Sequence, residues 1–201
     1  MRRNRMQVSA AALLLAALFY YVCTPREMLA IALALLCHEL GHAVALWAMG
    51  LRIQRFRMEL KGFCMEYSGY TGALGHAAAA AAGPTAGLIY AFAATALAQG
   101  LRAEWLMLSG GVSLVLSAFN LLPALPLDGG RIFSALACAL WGERRGLALT
   151  DAMGLLVGLL LLSAGLLLLL RGHGIALLLA AIWLLLYQET GRGIVKKREV
   201  L

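Results

Sequence analysis

Charge is what this sequence has little of. Asp, Glu, Lys and Arg make up 13% of its 201 residues, about half the share found in an ordinary soluble domain. That scarcity excludes a normal water-facing surface. Proline is also scarce, at four residues, and no Pro/Ser-rich linker or long charge run divides the chain. A single domain over residues 1–201 is expected. The four cysteines, Cys23, Cys37, Cys64 and Cys138, include no C-x-x-C pair; they imply no disulfide framework and read as small apolar packing residues. The net charge of +7 is not gathered into a basic stripe interleaved with aromatics, which argues against a nucleic-acid partner.

What is abundant is hydrocarbon. Hydrophobic residues form 62% of the chain and the mean hydropathy is +0.83, so the chain belongs in a membrane. Apolar segments fall at residues 6–23, 28–49, 77–98, 105–122, 152–170 and 175–187, each near the ~20 residues that cross a ~30 Å hydrocarbon core. The expected fold is an all-α integral membrane protein with about six transmembrane helices, the last one short. Residues 133–141 are too few to cross alone and are expected to form a partial or re-entrant helix. The first segment follows Arg2, Arg3 and Arg5 and so resembles a signal peptide. It lacks a small-x-small cleavage site, and a second apolar segment follows at once, so a retained helix is expected.

Lys and Arg accumulate on the cytoplasmic side of bacterial-type membrane proteins. With the N-terminus inside, the inner segments collect most of the basic residues, including Arg52, Arg55, Arg57, Lys61, Arg131, Arg144, Arg145 and Arg192. The outer loops keep Arg26, Arg102 and Arg171. Both termini of this multi-pass chain are therefore expected to be cytoplasmic, at the cell membrane. Trp47, Trp105, Trp141, Trp183 and Tyr187 fall mostly near segment ends, as interfacial anchors do. His76 and His173 read as interfacial residues too.

Inside the second apolar segment lies HELGH, residues 38–42. Ionisable side chains within a bilayer cost a few kcal/mol each and tend to mark function or pairing, so this cluster is not explained by packing. Residues four apart share one helical face, which lets His38 and His42 converge on one metal ion. Glu39 is turned about 100° from His38, beside the ion, where it can take a proton from an attacking water.

Zinc held by two histidines needs a third protein ligand and an open position. Most acidic residues, among them Glu27, Glu59, Glu66, Glu104, Glu143 and Asp151, sit in loops, at segment ends or beside basic neighbours, where solvation is the default. Asp128 stands apart, in FNLLPALPLDGGRIFSAL. Pro123 and Pro126 cannot continue a helix, and Gly129 and Gly130 open backbone conformations that other residues resist. Non-helical backbone at membrane depth is tolerated only where it is buried in protein or lines a water-filled cavity. Asp128 is thus the candidate carboxylate.

Three stretches together, HELGH, the AAGPTAG around Gly83 and Pro84, and NLLPALPLDGGR from Asn120 to Arg131, resemble the signatures of the site-2 protease family, the M50 intramembrane metalloproteases. The six segments, with HELGH on the second, resemble the branch that contains the stage IV sporulation protein FB. This resemblance implies one zinc ion held by His38, His42 and Asp128, with Glu39 as catalytic base. Asn120 matches the family asparagine near the active site, giving a substrate-binding role; an ordinary intrahelical hydrogen bond is the alternative. Gly87 stands where the family often has asparagine in G-P-x-x-N, although Gly83 and Gly87, four apart, suit close helix packing. No PDZ or CBS domain is expected within residues 1–201.

The implied activity is hydrolysis of a peptide bond in a membrane-associated regulatory protein near the cytoplasmic face. A sigma-factor precursor is the first substrate class, an anti-sigma factor or signal-peptide remnant the second, and an inhibitory membrane partner is compatible with this role. A silent metal-binding scaffold, a metal transporter, or a metalloprotease with a Glu third ligand are the competing readings. Glu39, near-pure leucine in the last two segments, and the L-D-G context of Asp128 speak against them in turn. Between the second and third segments, Phe56, Met58 and Leu60 alternate with Arg55, Arg57 and Glu59, and alternation resumes at Phe63, Met65 and Tyr67. This reads as a small membrane-associated β-hairpin able to pair with an extended substrate, or as an amphipathic loop on the lipid surface.

Overall fold

The structure, a computed structural model, describes residues 7–8, 20–59, 62–68 and 72–198. The chain divides into two compact units, Met1–Asn120 and Leu121–Leu201. The first holds β1 (Gln7–Val8), α1 (Pro25–Ala48), β2 (Arg52–Glu59), β3 (Gly62–Ser68), α2 (Ala73–Leu101) and α3 (Glu104–Asn120). The second holds α4 (Asp128–Trp141), α5 (Glu143–Leu169) and α6 (Ile175–Arg198).

In the first unit α1, α2 and α3 pack against one another. The start of α1 is set locally: Thr24 Oγ1 accepts from the Glu27 amide while Glu27 Oε2 accepts from the Thr24 amide at 2.7 Å, and Pro25 sits where its missing N–H costs nothing. The buried side of α2 is made of small residues, Ala77, Ala80, Gly83, Gly87, Ala91, Ala94 and Ala98 among them. Large side chains such as Leu29, Leu40, Phe92 and Leu97 are turned outward. Lipid tails are as apolar as leucine, so helix association in a membrane depends on close backbone approach and polar bonds, not on hiding leucines. The bonds are supplied by a row of serines on α3. Ser109 Oγ donates to the Ala30 carbonyl and Ser113 Oγ to that of Gly87, both at 2.8 Å. Ser117, next in the row, fills the space a side chain at Gly87 would need.

The three strands form one sheet in the order β1-β2-β3. β2 and β3 are antiparallel, with Arg52 opposite Ser68 and Glu59 opposite Gly62, and an irregularity between Ile53 and Arg55. β1 runs parallel to β2, pairing Gln7 with Arg57 and Val8 with Met58. The apolar segment at 6–23 therefore opens as a strand: the backbone groups of Gln7 and Val8 are taken by β2, a long-range pairing that hydropathy does not register. Residues 20–22 are helical, and 9–19 lie outside the described residues.

α1, α2 and α5 are long and apolar enough to cross a membrane. α3, at 17 residues, and the apolar stretch Ile175–Gln188 of α6 are shorter. Helices also extend past the apolar segments: α5 begins at Glu143, not near residue 152, because Glu143, Arg144 and Arg145 suit a helix about as well as leucine does even though they do not suit lipid.

In the second unit, residues 121–127 are non-helical, as the two prolines require. The helix beyond them starts at Asp128 and not near Phe133, making α4 14 residues long, roughly 21 Å, too short to cross alone. α5 packs on both α4 and α6.

Candidate metal centre

His38 lies on the most buried face of α1, one turn beyond Ala34 and two beyond Ala30, with 3% of its surface exposed. His42 follows one turn later. The imidazoles stand edge to face with ring centroids 5.0 Å apart and planes at 78°, so the sequence spacing of four does bring both rings to one face. His42 Nδ1 lies 2.8 Å from the Ala79 carbonyl on α2. A carbonyl only accepts, so the neutral ring carries its proton on Nδ1 and its lone pair on Nε2, the state in which Nε2 serves as a metal ligand. Glu39 is half-buried beside this face.

Two glycines make the arrangement possible. A Cβ on Gly41, between Glu39 and His42, would press into the Ala82 carbonyl and the Ala86 side chain, and a Cβ on Gly83 would overlap His42 Nε2. Pro84 follows inside α2 and lacks the N–H that would otherwise bond to the Ala80 carbonyl, loosening the helix in the turn that holds His42. Gly83→Ala is expected to displace the imidazole or push α2 away, at about 1–3 kcal/mol. Thermal unfolding and zinc content, read together, check it; wild-type values for both would mean that the space beside Nε2 is not used.

In the second unit Asp128 is the first residue of α4 and 6% exposed. Leu127 before it is extended, and the turn is closed by bonds from the Ala124 amide to the Leu122 carbonyl and from the Leu127 amide to the Ala124 carbonyl, at 2.8 and 2.9 Å. Gly129 and Gly130 lie against the main chain of residues 121–125, where any Cβ would collide. A carboxylate at a helix N-terminus is favoured by the helix dipole. Arg131, half-exposed one turn on, approaches Asp128 Oδ1 at 3.7 Å, a long contact that contributes little.

Asn120 ends α3, and its Nδ2 donates to the Leu116 carbonyl at 3.1 Å, so the intrahelical bond is present. His173 Nδ1 donates to the Arg171 carbonyl at 2.9 Å, and His76 is exposed in the first turn of α2. The Ala79 carbonyl is invisible to sequence reading, since a backbone acceptor has no letter of its own. Gly83 is legible as part of the AAGPTAG signature and as a packing residue, but not as the neighbour of His42.

The profile of Peptidase family M50 matches residues 83–165. Over those residues the chain resembles this family. Curated relatives with zinc-metalloprotease names include sll0528 of Synechocystis, 27% identical over 66% of this chain and 37% of its own length. Rip3 of Mycobacterium tuberculosis is 34% identical over 66% of this chain and 36% of its own length. The chain thus spans little more than a third of these relatives. The site-2 protease from Methanocaldococcus jannaschii shares the fold of this chain, with a TM-score of 0.69 at 20% identity over 94% of this chain and 91% of that one.

Proposed function

We propose that this chain is an intramembrane zinc endopeptidase that cuts a membrane-associated regulatory protein, a sigma-factor precursor or anti-sigma factor, near the cytoplasmic face. One observation carries the reading: HELGH sets two imidazoles on a buried helical face, with the tautomer of His42 fixed by the Ala79 carbonyl. His38, His42 and Asp128 would hold one zinc ion, each offering one ligand atom. Two imidazole nitrogens and a carboxylate oxygen are a donor set that catalytic zinc takes. Both units then serve one catalytic domain. Bound there, zinc supplies a Lewis acid that polarises the substrate carbonyl and lowers the pKa of water. Glu39 accepts the proton of the attacking water and passes it to the leaving amine. Asn120 uses one N–H on Leu116 and presents its remaining amide groups to the substrate backbone.

Six membrane crossings with both termini inside, as the Lys and Arg distribution favours, belong to the same proposal and put the histidines toward the cytoplasmic end of α1. A helical peptide bond is shielded from attack, so the substrate must be extended. β2 lies between two strands, and of the two edges β3 is the longer strand, so we place substrate pairing on β3. Prolines introduced one at a time along Gly62–Ser68 test this. At positions whose N–H points away from β2, cleavage should be lost while zinc content and thermal stability persist. Cleavage retained at every position that still folds would remove strand addition.

A further inference from the structure

At the end of the first unit away from the histidines, the start of α1, the end of α2 and the start of α3 enclose an open cavity of about 680 Å³, lined by Arg26, Glu27, Leu101, Arg102, Glu104 and Trp105 among others. His38 is about 20 Å further along α1. Glu27 is committed to the helix cap, its Oε2 accepting from the Thr24 amide and hydroxyl at 2.7 and 2.9 Å. Arg26, Arg102 and Glu104 form no ion pair among the described residues, although all three face the same cavity. Arg102 is held there by a left-handed backbone, φ 51°. The level of the cavity is fixed by its helices, because α1 and α2 both qualify as membrane spans and one ends here as the other begins. The exposed Tyr20 and Tyr21, together with Trp105, are the aromatic side chains that collect where hydrocarbon meets head groups.

We propose that this cavity binds the head group of a zwitterionic phospholipid, one carrying a phosphate and an amine. The lining holds two cations and two carboxylates and so is neutral as a whole, but its charges are separated. A zwitterion satisfies both signs, with phosphate on Arg26 and Arg102 and the amine on Glu104 beside the Trp105 ring. An anionic head group would leave Glu104 opposed. The acyl chains would descend along the exposed leucines, Leu101 and Leu108. This site is independent of the zinc chemistry.

The test is native mass spectrometry of the full chain released from vesicles of equal parts phosphatidylethanolamine and phosphatidylglycerol. Wild type should retain phosphatidylethanolamine severalfold over phosphatidylglycerol, and Arg102→Gln should lose that lipid. Glu104→Gln, which leaves the lining net positive, should reverse the preference toward the anionic lipid. Arg26→Gln gives a second reading of the same loss should Arg102→Gln fail to fold. Equal retention of both lipids by wild type, or wild-type selectivity in the arginine variants, would overturn the proposal. So would displacement of the lipid by an equal concentration of soluble glycerophosphoethanolamine, which would assign the cavity to a free phosphodiester.

Discussion

Glu39→Gln is expected to yield a folded, zinc-loaded protein whose peptide hydrolysis is slower by about 10²- to 10⁴-fold, the range that a positioned general base contributes. The substitution keeps the volume and hydrogen-bonding reach of the side chain and removes only its capacity to hold a proton at neutral pH. Because Glu39 is offset from the ligand face of α1, neither imidazole should move. Zinc content, helical content and the His42 bond to Ala79 should all be as in wild type. The measurement is single-turnover cleavage of a membrane-embedded substrate beside metal analysis of the same preparation. Undiminished cleavage would show that some other group takes the proton, and loss of zinc together with activity would mean that Glu39 belongs to the ligand set.

The second large effect is expected at the ligands. His38→Ala and Asp128→Ala should each lower zinc affinity by more than about 100-fold, since even groups that merely orient a ligand contribute 10- to 100-fold. Activity should fall with occupancy and, at most, recover partially under high zinc. Equal losses in the two variants would tie HELGH to the Pro/Gly segment as parts of one metal site, although the two lie in separate units of the fold. Full zinc binding in Asp128→Ala would remove the carboxylate from the proposal while leaving the two histidines. A pH titration of metal content adds a check of sign: imidazole and carboxylate bind metal only when deprotonated, so zinc should be released as pH falls and not as it rises.

Much of the site could be read from local pattern. The four-residue spacing of His38 and His42 fixes their common face on any helix, and α1 supplies that helix, started by Thr24, Pro25 and Glu27. Pro123 and Pro126 similarly dictate the non-helical approach to Asp128. Where the reading fell short, the deciding partner was remote. Gln7 and Val8 lie in an apolar run that suggests a helix, but they pair with Arg57 and Met58. Alternation marks a hairpin but not which of its strands is open to a partner; β2 is central because strand order is a property of the sheet and not of either strand. Hydropathy also places helix ends poorly, because helicity extends past lipid-compatible residues, as at Glu143 and Asp128.

The sequence alone determined the chemistry on offer: which side chains can bind a metal, which faces of α1 they share, and where the backbone cannot be helical. Each of these depends on rotations and hydrogen bonds within a few residues. Only the tertiary structure decided that the Ala79 carbonyl sets the tautomer of His42, that Gly83 clears the space beside its Nε2, and that β2 is flanked by β1 and β3. Those outcomes depend on close approach between elements far apart in the chain, governed by packing distances that no local pattern encodes.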